Sequence, residues 1–127
     1  MKKAFFIFCI LILTACSQEY GNRVVGGNLS VHFTESKDET IASKLAVFWK
    51  ENDLISETPQ DIQLSRTNQG YRLSIIASNE FDPEQIRFKE RKALLELRAM
   101  LENEVFLDKH FELVLSDNQF KPILHIK

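Results

Sequence analysis

The chain has 127 residues, 44% of them apolar, with 16 basic against 18 acidic side chains and a net charge of −2. That length fits one domain, and that apolar share supplies a core for it. The acidic excess argues against nucleic acid, or an anionic bilayer surface, as what the folded part binds.

The chain opens MKKAFFIFCILILTAC. Two lysines precede an unbroken apolar run from Ala4 to Leu13, the pattern of an export signal. The run is too short to span a bilayer, which needs about 20 apolar residues. It ends Leu13-Thr14-Ala15-Cys16: an aliphatic residue, two small ones, then cysteine. This ending resembles the lipobox of bacterial lipoproteins. The resemblance covers only the first sixteen residues. It implies that residues 1–15 are a lipoprotein signal peptide, removed in the mature protein. It implies further that Cys16 receives a diacylglycerol thioether and that the new amino terminus is acylated, with palmitate as the typical chain. Several acyl chains hold a protein stably on the bilayer, where one binds only reversibly.

Losing Met1–Ala15 leaves 112 residues and removes Lys2 and Lys3, which takes the net charge to −4. Cys9 leaves as well, so the lipidated cysteine stands alone and no disulfide forms. Ser17 to Gly27 is glycine-rich and mostly polar. With Cys16 it makes residues 16–27 a lipidated tether, joining the first strand at Val24 or Val25. Eleven extended residues at about 3.5 Å each reach roughly 40 Å at most. In the lipoprotein class, serine directly after the cysteine goes with outer-membrane sorting in a Gram-negative host, and Ser17 fits that.

Residues 28–127 read as a single α+β domain. Leu29, Val31 and Phe33 alternate with Ser30, His32 and Thr34, which predicts a half-buried strand. Ser36 with Glu39 makes a capping box, followed by Ile41, Leu45, Phe48 and Trp49 at helical spacing. Two alternating strands flank Asn68-Gln69-Gly70, with Ile62 and Leu64 facing Tyr71, Leu73 and Ile75. Asp82-Pro83 opens a second helix whose stripe is Ala93, Leu94, Leu97, Met100, Leu101 and Val105. Two last strands flank Ser116–Gln119.

The order β-α-β-β-α-β-β predicts a ferredoxin-like sandwich with an added C-terminal edge strand. Right-handed crossovers then give an antiparallel sheet of order 5-4-1-3-2, with both helices on one face. Pro122 suits the edge strand, since proline donates no ladder bond. The other face is left open, and alternation assigns it His32, Arg72, Glu112 and His125 as candidate binding residues. In the expected order His125, Glu112 and His32 share one row. Two histidines and a carboxylate are a recurrent set for zinc or ferrous iron. The plainer reading of the same residues is a solvated face of cross-strand charge pairs, and no metal or cofactor is assigned. Val114, Ile76 and Ile123 add an apolar patch, a hint of a protein contact.

No dinucleotide or phosphate loop, His-Glu-x-x-His or Gly-x-Ser-x-Gly occurs in the chain, and no catalytic residue stands out. Phe48 and Trp49 at helical spacing belong to the core. Two function classes follow. The favoured one is a bacterial envelope lipoprotein, anchored through Cys16, whose domain is a non-enzymatic accessory contacting another envelope protein. The alternative uses the open sheet face, as a small metal-dependent enzyme or an immunity-type inhibitory lipoprotein.

Overall fold

The computed structural model describes residues 22–77 and 81–127. Their elements run β1 (Asn22–Gly26), β2 (Leu29–Phe33), α1 (Glu39–Glu51), β3 (Gln60–Arg66), β4 (Tyr71–Ile76), α2 (Phe88–Leu101), β5 (Phe111–Ser116) and β6 (Pro122–Ile126). Each helix is approached through a short 3-10 turn, Ser36–Asp38 or Pro83–Gln85, and α2 continues into a π-turn, Glu102–Phe106.

The strands form one sheet in the order of the chain, β1-β2-β3-β4-β5-β6. Antiparallel hairpins join β1 to β2, β3 to β4 and β5 to β6. The neighbours β2–β3 and β4–β5 are parallel, linked across α1 and α2. The fold is α+β as expected, but the ferredoxin-like sandwich with its antiparallel order 5-4-1-3-2 is overturned: the sheet is mixed, and no strand is inserted between others. Alternation fixes which face of a strand is buried and says nothing of which strand lies beside it. A helix such as α1 can return the chain to the adjacent place or to the one beyond. The expected order also assumed crossovers of one hand. Here β2 and β3 run opposite to β4 and β5, both connections step the same way across the sheet, and both helices feed one core. The two crossovers therefore have opposite hands, which a uniformly right-handed rule cannot produce.

Asn22–Gly26 forms a strand of its own ahead of β2, turning at Gly27, whose φ of +62° is the left-handed region glycine tolerates. The other strands stand where the alternation put them. Leu29, Val31, Phe33, Ile62, Leu64, Leu73, Phe111, Leu113 and Leu115 all enter one core. From the helix side come Ile41, Ala42, Leu45, Phe48 and Trp49 of α1, then Leu101, Val105 and Phe106. Of the expected second-helix stripe, Leu94 and Leu97 are half-buried, whereas Ala93 and Met100 are exposed. The π-turn explains the end of that helix. Its wider turn brings the consecutive residues Val105 and Phe106 inward together. Phe106 then stacks on Phe111, ring centroids 4.2 Å apart with 9° between the planes.

Both expected caps moved. Ser36 makes no capping hydrogen bond; it starts the 3-10 turn, and α1 begins only at Glu39. Asp82 does cap, accepting the Glu84 N–H at 2.9 Å, but it caps the short turn Pro83–Gln85. The extended residues Ile86 and Arg87 then interrupt, and α2 starts at Phe88.

Candidate functional site

On the sheet face away from the helices, the register sets Arg72 of β4 directly opposite Glu112 of β5. The Arg72 Nε donates to Glu112 Oε1 at 2.5 Å, and His125 Nδ1 on β6 lies 3.5 Å from Glu112 Oε2. The three side chains are between 31% and 44% exposed. One carboxylate thus serves a guanidinium and an imidazole at once, which leaves it poorly placed to act as a general base.

His32 is elsewhere. It lies on β2, three strands from Glu112, and its Nε2 meets Asp61 Oδ1 of β3 at 2.8 Å. The expected row His125, Glu112, His32 is therefore broken: the structure joins the first two with Arg72 and gives the third a carboxylate of its own. The difference follows from the strand order, since the expected sheet made the strands of His32 and Glu112 neighbours. Among the described residues no group of three His, Cys, Asp or Glu side chains converges as metal ligands.

A loop completes the His32 site. Ser116 to Lys121 joins β5 to β6, and its Phe120 ring sits 5.8 Å from the His32 ring. To reach β2 from the far side of the sheet, this loop must cross the open face over β3 and β4. Two residues of that face are indeed fully buried, Ser74 and Val114. Ile76 is half-buried, so of the expected apolar patch only Ile123, at 42% exposed, remains open. Asp117 builds the loop: its Oδ1 accepts the N–H groups of Gln119 and Lys121, each at 2.9 Å. Those two bonds hold the Asp117 carboxyl below its ordinary pKa. Phe120 itself adopts φ 63°, a strained value for a side-chain-bearing residue.

His32, Asp61, Ile76, Asn118 and Phe120 enclose a recess of about 250 Å³. That is below the roughly 300–1,000 Å³ of ordinary small-molecule sites. The His–Asp pair could orient an imidazole for proton transfer, but the recess holds little beside it. Asp61 was within reach of sequence reading. The alternation that turns Ile62 and Leu64 inward assigns Asp61 to the open face. Phe120 carries no such signal, because a loop residue has no period.

A second charged cluster lies at the other end of the sheet, and no motif announced it. Asp38, on the turn before α1, is 1% exposed. Arg66 at the end of β3 reaches it with two prongs, Nε to Oδ2 at 3.0 Å and Nη2 to Oδ1 at 2.7 Å. Glu35 Oε2 approaches the same Nε at 2.6 Å. The Tyr71 hydroxyl accepts from Arg66 at 3.1 Å and donates to Asp38 at 3.4 Å, and the guanidinium stands 4.9 Å over the Tyr71 ring. The hydrogen bonds to Asp38 raise the Arg66 pKa further above its ordinary value, so this cation does not titrate.

Two grooves flank α1. One, of about 650 Å³, runs between α1 and the π-turn, with Glu39, Lys44, Val47, Glu51 and Glu104 in its wall. The other, of about 440 Å³, runs between α1 and β1. Comparisons with protein-family models, curated proteins and solved structures return no match. Cys16, the signal segment and the first part of the tether lie outside the described residues, and among the described residues no helix is long and apolar enough to cross a membrane.

Proposed function

We propose that the chain is a bacterial envelope lipoprotein, acylated at Cys16, whose domain works by binding another protein. The observation that carries this reading is the apolar run from Ala4 that closes on Leu13-Thr14-Ala15-Cys16. Chain geometry bears on its use: β1 starts at Asn22, so six Cα steps separate Cys16 from the sheet. At about 3.5 Å each they span roughly 21 Å, which keeps the domain next to the bilayer that anchors it.

The site geometry supports binding over catalysis. The histidines weighed for metal chemistry lie four strands apart, each beside its own carboxylate, and the recess at His32 is small. Growth in labelled palmitate tests the anchor. The unsubstituted chain should take up label and Cys16→Ser should not, staying uncleaved or leaving the membrane fraction. Equal label in both would overturn the lipoprotein assignment.

A further inference from the structure

The turn between β1 and β2 decides which backbone groups of β1 face outward. Gly26 and Leu29 flank the two residues Gly27 and Asn28 and lie opposite one another, so they exchange the bonds that close the hairpin. Inward and outward groups then alternate along the strand. Gly26, Val24 and Asn22 bond to β2, while the N–H and C=O of Val25 and Arg23 point away from the sheet. β1 ends the strand order on that side, so these groups meet no neighbouring strand among the described residues.

Exposed edges usually carry something that blocks pairing: lysine, proline, a bulge or a cover. β6, at the opposite edge, has several. It begins with Pro122 after Lys121, its pairing slips at Leu115/Ser116, and α2 packs beside it. β1 reads Asn-Arg-Val-Val-Gly, with no lysine, proline or bulge, although α1 packs over it.

An apolar groove borders β1. α1 packs over β1 and β2, and a Cβ on Gly26 would stand 3.5 Å from that of Ala46. Between helix and edge, Val24, Ala46, Val47 and Ile55 line the apolar groove, with Lys50 its only charged wall residue. Val25 is 58% and Val47 54% exposed. A strand laid along β1 would turn alternate side chains into this groove.

We infer that β1 pairs antiparallel with β1 of a second copy of the chain, about a two-fold axis at Val24. The strand is complementary to itself in this register alone. Arg23 and Val25 stand two residues apart, so the axis sets the outward groups of Arg23 against those of Val25 in the other copy. Shifting by one residue would oppose outward groups to inward ones. Centring on Arg23 would set two arginines face to face, and centring on Val25 would oppose Arg23 to the turn. At Val24 every outward group of the strand is used, and each arginine faces a valine. The Val24 side chains, on the helix side, meet at the axis and extend each groove into the other. The pairing does not depend on the acyl anchor.

Light scattering of the full chain in detergent micelles, with the detergent mass subtracted, tests this. The expected protein mass is that of two chains. Val25→Pro removes an outward N–H and no bond to β2, so it should halve the mass with the circular dichroism unchanged. A cysteine pair gives an answer that does not rely on proline. Opposed Cβ atoms of a non-hydrogen-bonded pair lie about 4.5–5.5 Å apart, near disulfide range. Val24→Cys should therefore cross-link two copies under mild oxidation, above the background of the unsubstituted chain, while Ile123→Cys on the β6 edge should not. A single-chain mass for the unsubstituted protein, a dimer that survives Val25→Pro, or a cross-link no stronger from Val24→Cys than from Ile123→Cys each overturns the pairing.

Discussion

The β3–β4 hairpin carries an arginine–carboxylate cluster on each of its strands, and the two obey different physics. Arg66 reaches off the end of β3 to a carboxylate that is 1% exposed. Arg72, on β4, meets its partner on a wet face, where both side chains are about a third exposed. Coulomb attraction between such wet charges is weak and partly cancelled by the entropy of holding long side chains still, so such pairs contribute roughly 0–1 kcal/mol. At Asp38 the water is gone. A buried carboxylate without its cation retains its full desolvation cost, which makes breaking that pair severe whatever the intact pair contributes. The Asp38 cluster also joins the turn before α1 to the hairpin, whose strands the backbone pairs at Arg66 and Tyr71. The Arg72 cluster merely lies across strands that the backbone already pairs.

The sharpest way to break this contrast is Arg66→Gln, which strands Asp38. It should lower the urea midpoint more than any single change on the open face, with the slope of the transition unchanged. Asp38→Asn comes next. It keeps the shape but loses charge-assisted hydrogen bonds, and should cost about 1.5–3 kcal/mol in the same measurement. Arg72→Ala should change stability by no more than about 1 kcal/mol, with 0.5 M salt removing most of the effect. If Arg72→Ala proves as damaging as Asp38→Asn, burial is not what separates the two clusters.

The smallest effect sharpens the comparison by leaving out the cation. Asp117 is held by backbone N–H groups, which place its folded pKa below the unfolded one. Its contribution is therefore present above the ordinary carboxylate value of 3.8 and is lost as pH falls through the lower, folded value. The amide signals of Gln119 and Lys121 should report that titration by NMR, and Asp117→Asn should abolish it. A midpoint at or above 3.8 would show that the loop is not held as described.

Much of this was legible residue by residue. The alternation of Leu29, Val31 and Phe33, and of Ile62 and Leu64 against Leu73 and Ile75, named the buried face and even the hairpin register. Such signals are local: each side chain's polarity reports which side of its own strand is dry. What lies beside a strand is settled by the packing of whole elements, and there the reading went astray. Asp38 and Arg66 are 28 residues apart, and neither differs in type from the solvated charges around it. A buried ion pair of this kind has no sequence signature. His32 stands on the sheet face away from the helices, and its neighbours Asp61 and Phe120 depended on the strand order and on a loop.

The sequential strand order also bears on how the chain acquires its structure. Every strand pairs with the one before it, so each new pairing closes only a hairpin or a single helical crossover. The longest closure runs from Ile76 to Phe111, and loop-closure entropy grows only slowly with length. The interleaved order 5-4-1-3-2 would have required the first strand to wait for the fourth, with its edge open throughout. Here a chain appearing from its amino end can lay each strand against a finished neighbour. Closures shorter than the interleaved order demands favour faster folding and shorter-lived exposed edges.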